Sequence, residues 1–287
     1  MGRAWHPLAT GCVPNVVGPN KAAPFFPFNR SDQVRFDYEL KQWILSGAAI
    51  YQSDFASFGP DPETASTSIK SSSYLRNALW PEFTLHIAYK TSTFRIGSVG
   101  SIKSIKPRLY TMSDYTNPNG QIYKTDEKLT TYVAQVYAQY QKNDWTLKAQ
   151  ATYTQNATES LMLGGYAVSA TDPLTGHEKY TSTQHMNYWI NVYYGKKWQI
   201  GLFAGYLNTL GTLKNVVGAW YARAHDIKYM YRISPHVFYN VNNLQFAVEF
   251  EYTTAAFGEV QFSQKAKIVN ASEVTNFRTN LMICFYF

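Results

Sequence analysis

The last fourteen residues, Val274 to Phe287 (VTNFRTNLMICFYF), restrict the fold more than any other stretch. Phe277, Thr279, Leu281, Ile283, Phe285 and Phe287 share one parity, and Asn276, Arg278, Asn280, Met282, Cys284 and Tyr286 share the other. Alternation at period two describes a strand whose two faces meet different solvents. The sequence ends on an aromatic residue with no polar tail after it. In water such a strand would be a long apolar edge open to aggregation. A closed transmembrane barrel removes the problem by pairing the strand and turning its apolar face to lipid.

The same logic recurs along the chain about every fifty residues, as strand, tight turn, strand and long polar loop. The first unit sets Val34, Phe36 and Tyr38 against Arg35, Asp37 and Glu39, then resumes at Trp43, Leu45, Ala49 and Tyr51. Phe83, Leu85, Ile87 and Tyr89 lead into Phe94 and Ile96 in the second. The third runs from Tyr132 to Tyr140 and from Trp145 to Tyr153, and the fourth from Met186 to Tyr194 and from Trp198 to Tyr206. A fifth unit spans Tyr229–Tyr239 and Leu244–Tyr252, with Pro235 forfeiting one ladder bond. Aromatics flank four of the five turns (Tyr38/Trp43, Tyr89/Phe94, Tyr140/Trp145, Tyr194/Trp198), which predicts an aromatic girdle at one level. A propeller blade would need about four strands per repeat where two are found.

These patterns predict an all-β, antiparallel transmembrane β-barrel with about eleven strands visible. Residues 1–32, rich in Pro, Gly and Asn, are expected to form an irregular segment on the extracellular side. Residues 33–287 supply the strands, short periplasmic turns and long extracellular loops. Mean hydropathy is −0.30, and no run reaches the roughly 18–20 apolar residues of a membrane helix. Barrels average out in this way because half of every strand is polar. The aromatic content of 16% suits two membrane–water interfaces. The net charge of +7 accompanies no nucleic-acid motif and is better explained by a cationic interior that attracts anions.

If the aromatic parity faces lipid, the other parity lines the interior, and its charged members become candidate site residues. They include Arg95, Lys148, Lys228, Arg232, Glu249, Glu251 and Arg278. Counting back from the fifth turn places Arg232 opposite Glu251, with Arg278 at similar depth. That cluster serves either as a selectivity element or as a ladder of structural ion pairs worth up to about 1 kcal/mol each. Lys103, Lys106 and Arg108 fall in a long loop and form a constriction if it folds inward, or a solvated charge run if outward. His86, His185 and His236 share the interior parity, but spacing assembles no nucleophile–His–acid set, and no metal, phosphate or dinucleotide motif occurs. Neither catalysis nor a cofactor is expected.

The segments WHPLATGCVPNVVGPNKAAPFFPFNRSDQVRFDY, LSGAAIYQ, SIKPR and YGKKWQIGLFAGY resemble the DcaP-like outer-membrane porins of Bacteroidota. The resemblance spans most of the chain. It implies a passive diffusion channel of sixteen strands for small anionic solutes such as dicarboxylates, and it admits a homotrimer. A barrel enzyme of the lipase or protease type and a closed structural or adhesive barrel are the alternatives. Expected partners are outer-membrane lipid, small anionic solutes and, through the strand ending in Phe287, the barrel-insertion machinery. Nucleic acid is not expected. With the tight turns periplasmic, the strand opening at Val34 descends from outside, and MGRAWHPLATG carries no export signal. We therefore expect further strands ahead of it, this chain being the C-terminal part of a longer porin.

Overall fold

The computed structural model describes residues 1–61, 67–115 and 120–287. One antiparallel sheet dominates, and its main path runs through β1 (Gly2–Trp5), β2 (Arg30–Leu40), β3 (Trp43–Tyr51), β4 (Glu82–Lys90), β5 (Phe94–Ile105) and β6 (Leu129–Lys142). It continues through β7 (Trp145–Gln155), β8 (Glu178–Tyr194), β9 (Trp198–Thr212), β10 (Ile227–Val241), β11 (Leu244–Gln261) and β12 (Lys267–Phe285). Each strand pairs with its sequence neighbours, so β2 to β12 are the eleven strands that the alternation announces. Among the described residues no ladder joins β12 to β1.

The period-two pattern sorts side chains between two environments. Outward residues are large, apolar and exposed, as with Phe36, Leu85, Val136, Ile190, Ile200 and Leu281. Inward residues include Gln33, Ser46, Glu82, Thr152, Asn187 and Glu249, all buried. A soluble protein would have the reverse arrangement; this one suits a polar interior and a hydrocarbon exterior.

The tight turns occupy two residues where Leu40 pairs Trp43, Lys142 pairs Trp145 and Val241 pairs Leu244. Each first turn residue takes a positive φ: 54° at Lys41, 55° at Asn143 and 49° at Asn242. The girdle forms between hairpins, because the register sets Trp43 beside Tyr89 (centroids 5.2 Å apart), Trp145 beside Tyr194 (4.9 Å) and Trp198 beside Tyr239 (4.3 Å). Ser234 and Pro235 are skipped in the β10–β11 pairing, as a residue lacking its N–H demands.

At the opposite end the loops build a core of their own from Tyr74, Leu75, Ile105, Leu129, Tyr166, Val168 and Tyr221. Gly164–Thr171 bridges β8 to the short strand Trp220–Arg223, and Tyr110–Met112 pairs with Ile122–Lys124. The long loop between β5 and β6 contains the turn-forming stretch NPNG at 117–120, which lies outside the described residues but for Gly120.

Residues 1–32 are irregular over most of their length, with the short strand β1 joining the sheet at Gly2–Trp5. After β1 the chain makes a 3₁₀ turn at Pro7–Ala9 and then runs along the inner face of the sheet. Leu8, Cys12, Val16, Phe25 and Phe26 are buried there against inward-facing Val99, Val133, Tyr137, Trp189, Phe203 and Leu207. Those side chains are apolar members of a polar face, and the segment covers them.

Replacing Ile190, outward-facing at mid-strand between Ala149 and Ala204, by Arg should cost about 2–4 kcal/mol in a bilayer. Guanidinium unfolding in lipid vesicles measures this, with Ile190→Leu as the near-neutral control.

Candidate functional site

The interior is organised by the contact between residues 6–29 and the wall. Tyr137 is gripped between two glycines. A Cβ at Gly97 on the wall would lie 2.5 Å from its ring, and one at Gly11 on the segment 2.3 Å. The Tyr137 hydroxyl meets His86 Nε2 at 2.7 Å. Phe25 sits over Gly205 in the same way, where a Cβ would come within 2.7 Å. Both close approaches need a residue without a side chain.

Polar contacts fix the rest of the segment. Gln135 donates to Leu8 O (3.0 Å), Lys148 Nζ to Val13 O (2.8 Å), and the Asn15 N–H to Asn191 Oδ1 (2.7 Å). The amides of Val17 and Gly18 both donate to one Glu249 oxygen, at 3.1 and 2.8 Å. Near the start, His6 Nε2 lies 3.1 Å from Glu82, which also accepts from Ser101 Oγ. Most anchors are wall side chains meeting backbone groups of a non-repetitive segment, which must find partners when buried.

The predicted mid-barrel cluster assembles with a shifted register. Arg278 stands directly opposite Glu251 and donates to it from Nε at 2.9 Å. Arg232 is opposite Thr253, not Glu251, because the fifth turn is two residues tighter than the count assumed. It donates from Nε to Thr253 Oγ1 (2.9 Å) and reaches Glu251 diagonally at 3.7 Å, its guanidinium 5.5 Å from the Phe25 ring centre. Glu249 is adjacent on the same face, and Asn280 approaches it at 3.4 Å. Arg95 lies over Tyr137, 5.7 Å from the ring centre, and Lys148 lies over Tyr193 at 5.5 Å.

Lys228 does not join them. The register shifts between Ile227 and Tyr229, so Ile227 enters the interior cluster and Lys228 is left exposed.

The expected constriction cations resolve differently. Lys103 is on β5, which extends to Ile105, and is buried against Glu159 (2.6 Å) and Asn156 O (2.7 Å). Lys106 pairs with Asp126 at 2.7 Å, and Arg108 with Glu178 at 2.9 Å and the Tyr221 hydroxyl at 3.1 Å. All three tie loops to the sheet or to one another. The sequence reading missed the element that does narrow the interior, residues 6–29. Its signal was the inward-facing Val99, Val133, Trp189 and Phe203, which water alone would not cover.

Substituting Glu249 by Gln should loosen this segment, since two amides would share a neutral acceptor in place of a carboxylate. The expected cost is about 1–2 kcal/mol, read as faster hydrogen exchange at Val17 and Gly18 with exchange in β6 and β7 unchanged. Gly11→Leu should be more disruptive, displacing the segment from Tyr137.

No protein-family profile and no curated protein matches the chain. Solved structures do match it. The outer membrane channel DcaP of Acinetobacter baumannii superposes with a TM-score of 0.68, covering 100% of this chain and 70% of that one at 13% identity. OmpT, an outer membrane protein of Vibrio cholerae, gives 0.56 over 100% and 76% at 10% identity. Its in-vitro folded form gives 0.53 over 99% and 75% at 9% identity. At such identities the likeness is one of fold. The chain has the fold of bacterial outer-membrane barrels, with an apolar outward face suited to hydrocarbon.

Proposed function

We propose that this protein is a porin, a passive diffusion channel for small anionic solutes of the dicarboxylate class, and that it has no catalytic role. The observation that carries the reading is the imbalance of free charge at mid-barrel. The inward-facing carboxylates are engaged: Glu249 by two amides, Glu251 by Arg232 and Arg278, and, at the loop end of β4, Glu82 by His6 and Ser101. The cations are less covered. Arg95 and Lys148 are half-buried above aromatic rings, while Arg278 is taken up by Glu251. A positive potential inside a low-dielectric wall raises the local concentration of anions. Residues 6–29 set the cross-section through which they pass.

The reading extends to the whole barrel. In hydrocarbon the outer edge of β12 requires a partner strand. The eleven strands described, against the sixteen that the resemblance implies, favour further strands of the same polypeptide as that partner. A homotrimer belongs to the same proposal.

A closed structural barrel is the second reading, favoured by the apolar packing of Phe25 and Phe26 against Trp189 and Phe203. Planar-bilayer recording separates the two. The porin should give ohmic steps with a reversal potential displaced towards the anion, and the pair Arg232→Gln/Arg278→Gln should reduce that displacement. An electrically silent folded barrel refutes the channel, and unchanged reversal potentials refute the role of the two arginines.

A further inference from the structure

Three polar side chains converge where the loop core meets the core around residues 6–29. Gly164 follows Leu163, which packs in that inner core, and stands opposite Arg223 in the ladder between the two short loop strands. Directly opposed residues share a face, so Arg223 projects on the side where Gly164 carries nothing. His185 turns its ring edge to the same spot: a Cβ at Gly164 would lie 3.4 Å from its Nδ1. Thr154, on β7, is the direct partner of His185. Thr154 Oγ1, His185 Nδ1 and Arg223 Nε are all shut from solvent, and none has a hydrogen-bond partner among the described residues. Thr154 and His185 are 0% and 1% exposed.

All three groups can donate a hydrogen bond: the hydroxyl, the guanidinium N–H, and the imidazole in the tautomer protonated at Nδ1. Buried donors without acceptors are costly, so the grouping calls for an acceptor. Water supplies one; an anion supplies one and balances the charge as well. That charge is uncompensated. Burial pulls the Arg223 guanidinium below its ordinary pKa, and no carboxylate opposes the effect. Glu178 is taken up by Arg108 and Tyr180, and Glu159 by Lys103. Half-buried Arg223 lies over the Phe58 ring, 5.7 Å from its centre. Exposed Lys70, directly opposite Phe58 in the 58–70 hairpin, holds its Nζ 5.2 Å from the same centre. Neither cation meets a carboxylate among the described residues.

We propose that Arg223, His185 and Thr154 bind the carboxylate of a small organic anion, and that Lys70 takes its second carboxylate when there is one. The guanidinium fork matches the two oxygens of a carboxylate, which separates this class from halides. Two cations around one ring separate dianions from monoanions. Gly164 leaves room beside His185, and its φ of 130° favours glycine there. In the channel the site gathers the anion before it reaches residues 6–29. That role rests on the porin reading, whereas the binding itself does not.

The test is isothermal titration of the full folded chain in detergent with succinate, acetate or chloride. Succinate should bind most tightly, acetate more weakly, and chloride without measurable heat. Arg223→Gln should weaken succinate binding about tenfold, and Thr154→Val should weaken succinate and acetate alike. Lys70→Gln should lower the succinate affinity to about a third and leave acetate unchanged. The ring-nitrogen resonances of His185 should shift when succinate is added to the wild type. Equal succinate binding by Arg223→Gln and the wild type overturns the proposal, as does chloride that displaces succinate at equal concentration. Absence of heat with unmoved His185 resonances means that water alone satisfies the three donors, and overturns it too. The gel-mobility shift of the folded barrel confirms that each variant is intact. Bilayer conductance of the wild type keeps the two readings apart: succinate binding in a silent barrel refutes the porin alone, and a conducting barrel that binds no succinate refutes the site alone.

Discussion

Hydrocarbon offers no hydrogen bonds, and that constraint governs the molecule. Every backbone amide and carbonyl crossing the membrane must be paired inside the protein, which leaves a strand only its neighbours as partners. Consecutive antiparallel pairing from β2 to β12 follows, as do turns of two residues where the chain reverses at the girdle. Once the ladders are imposed, alternation does the remaining sorting, because a strand has only two faces and the solvents on them differ.

The interior solves a different problem. A wall that carries Trp189, Phe203 and Tyr137 as well as Glu249 and Lys148 cannot be served by water alone. Residues 6–29 meet both demands. Their apolar side chains cover the apolar wall, and their backbone groups take the polar ends of Gln135, Lys148, Asn191 and Glu249. The free cross-section of the interior is thereby set by packing against the wall, with glycines at Gly11, Gly97 and Gly205 bringing backbone and ring together.

Much of this was legible in the sequence and some was not, for physical reasons. Period two fixes which side of a strand each residue takes, so the outward face and the strand count could be read directly. The depth of Arg278 could be read, since counting from a chain end tolerates small errors, but its pairing with Glu251 could not. The Arg232–Glu251 pairing was misread because a two-residue change in turn length slides every rung while leaving the faces unchanged. Lys228 failed for a related reason: a bulge is invisible to a pattern that assumes regular alternation. The in-folded segment was hidden because its conformation is set by tertiary contacts, and proline, glycine and asparagine signal irregularity without saying where it lies. Lys103, Lys106 and Arg108 were noticed as charges, but their carboxylate partners, Glu159, Asp126 and Glu178, come from elsewhere in the chain, and only the fold brings them near.

The three loop ion pairs have unequal access to water, and this divides the molecule's sensitivity to its surroundings. Lys103 and Glu159 are both buried, with side-chain exposures of 4% and 3%, while Asp126 is 82% exposed opposite Lys106. Mobile ions screen exposed charges strongly and buried ones little. A change in external salt therefore reaches the loop tied by Asp126 first and leaves the Lys103 tether to the wall nearly unaltered. The loops at that end can adjust to the medium while the wall beneath keeps its shape.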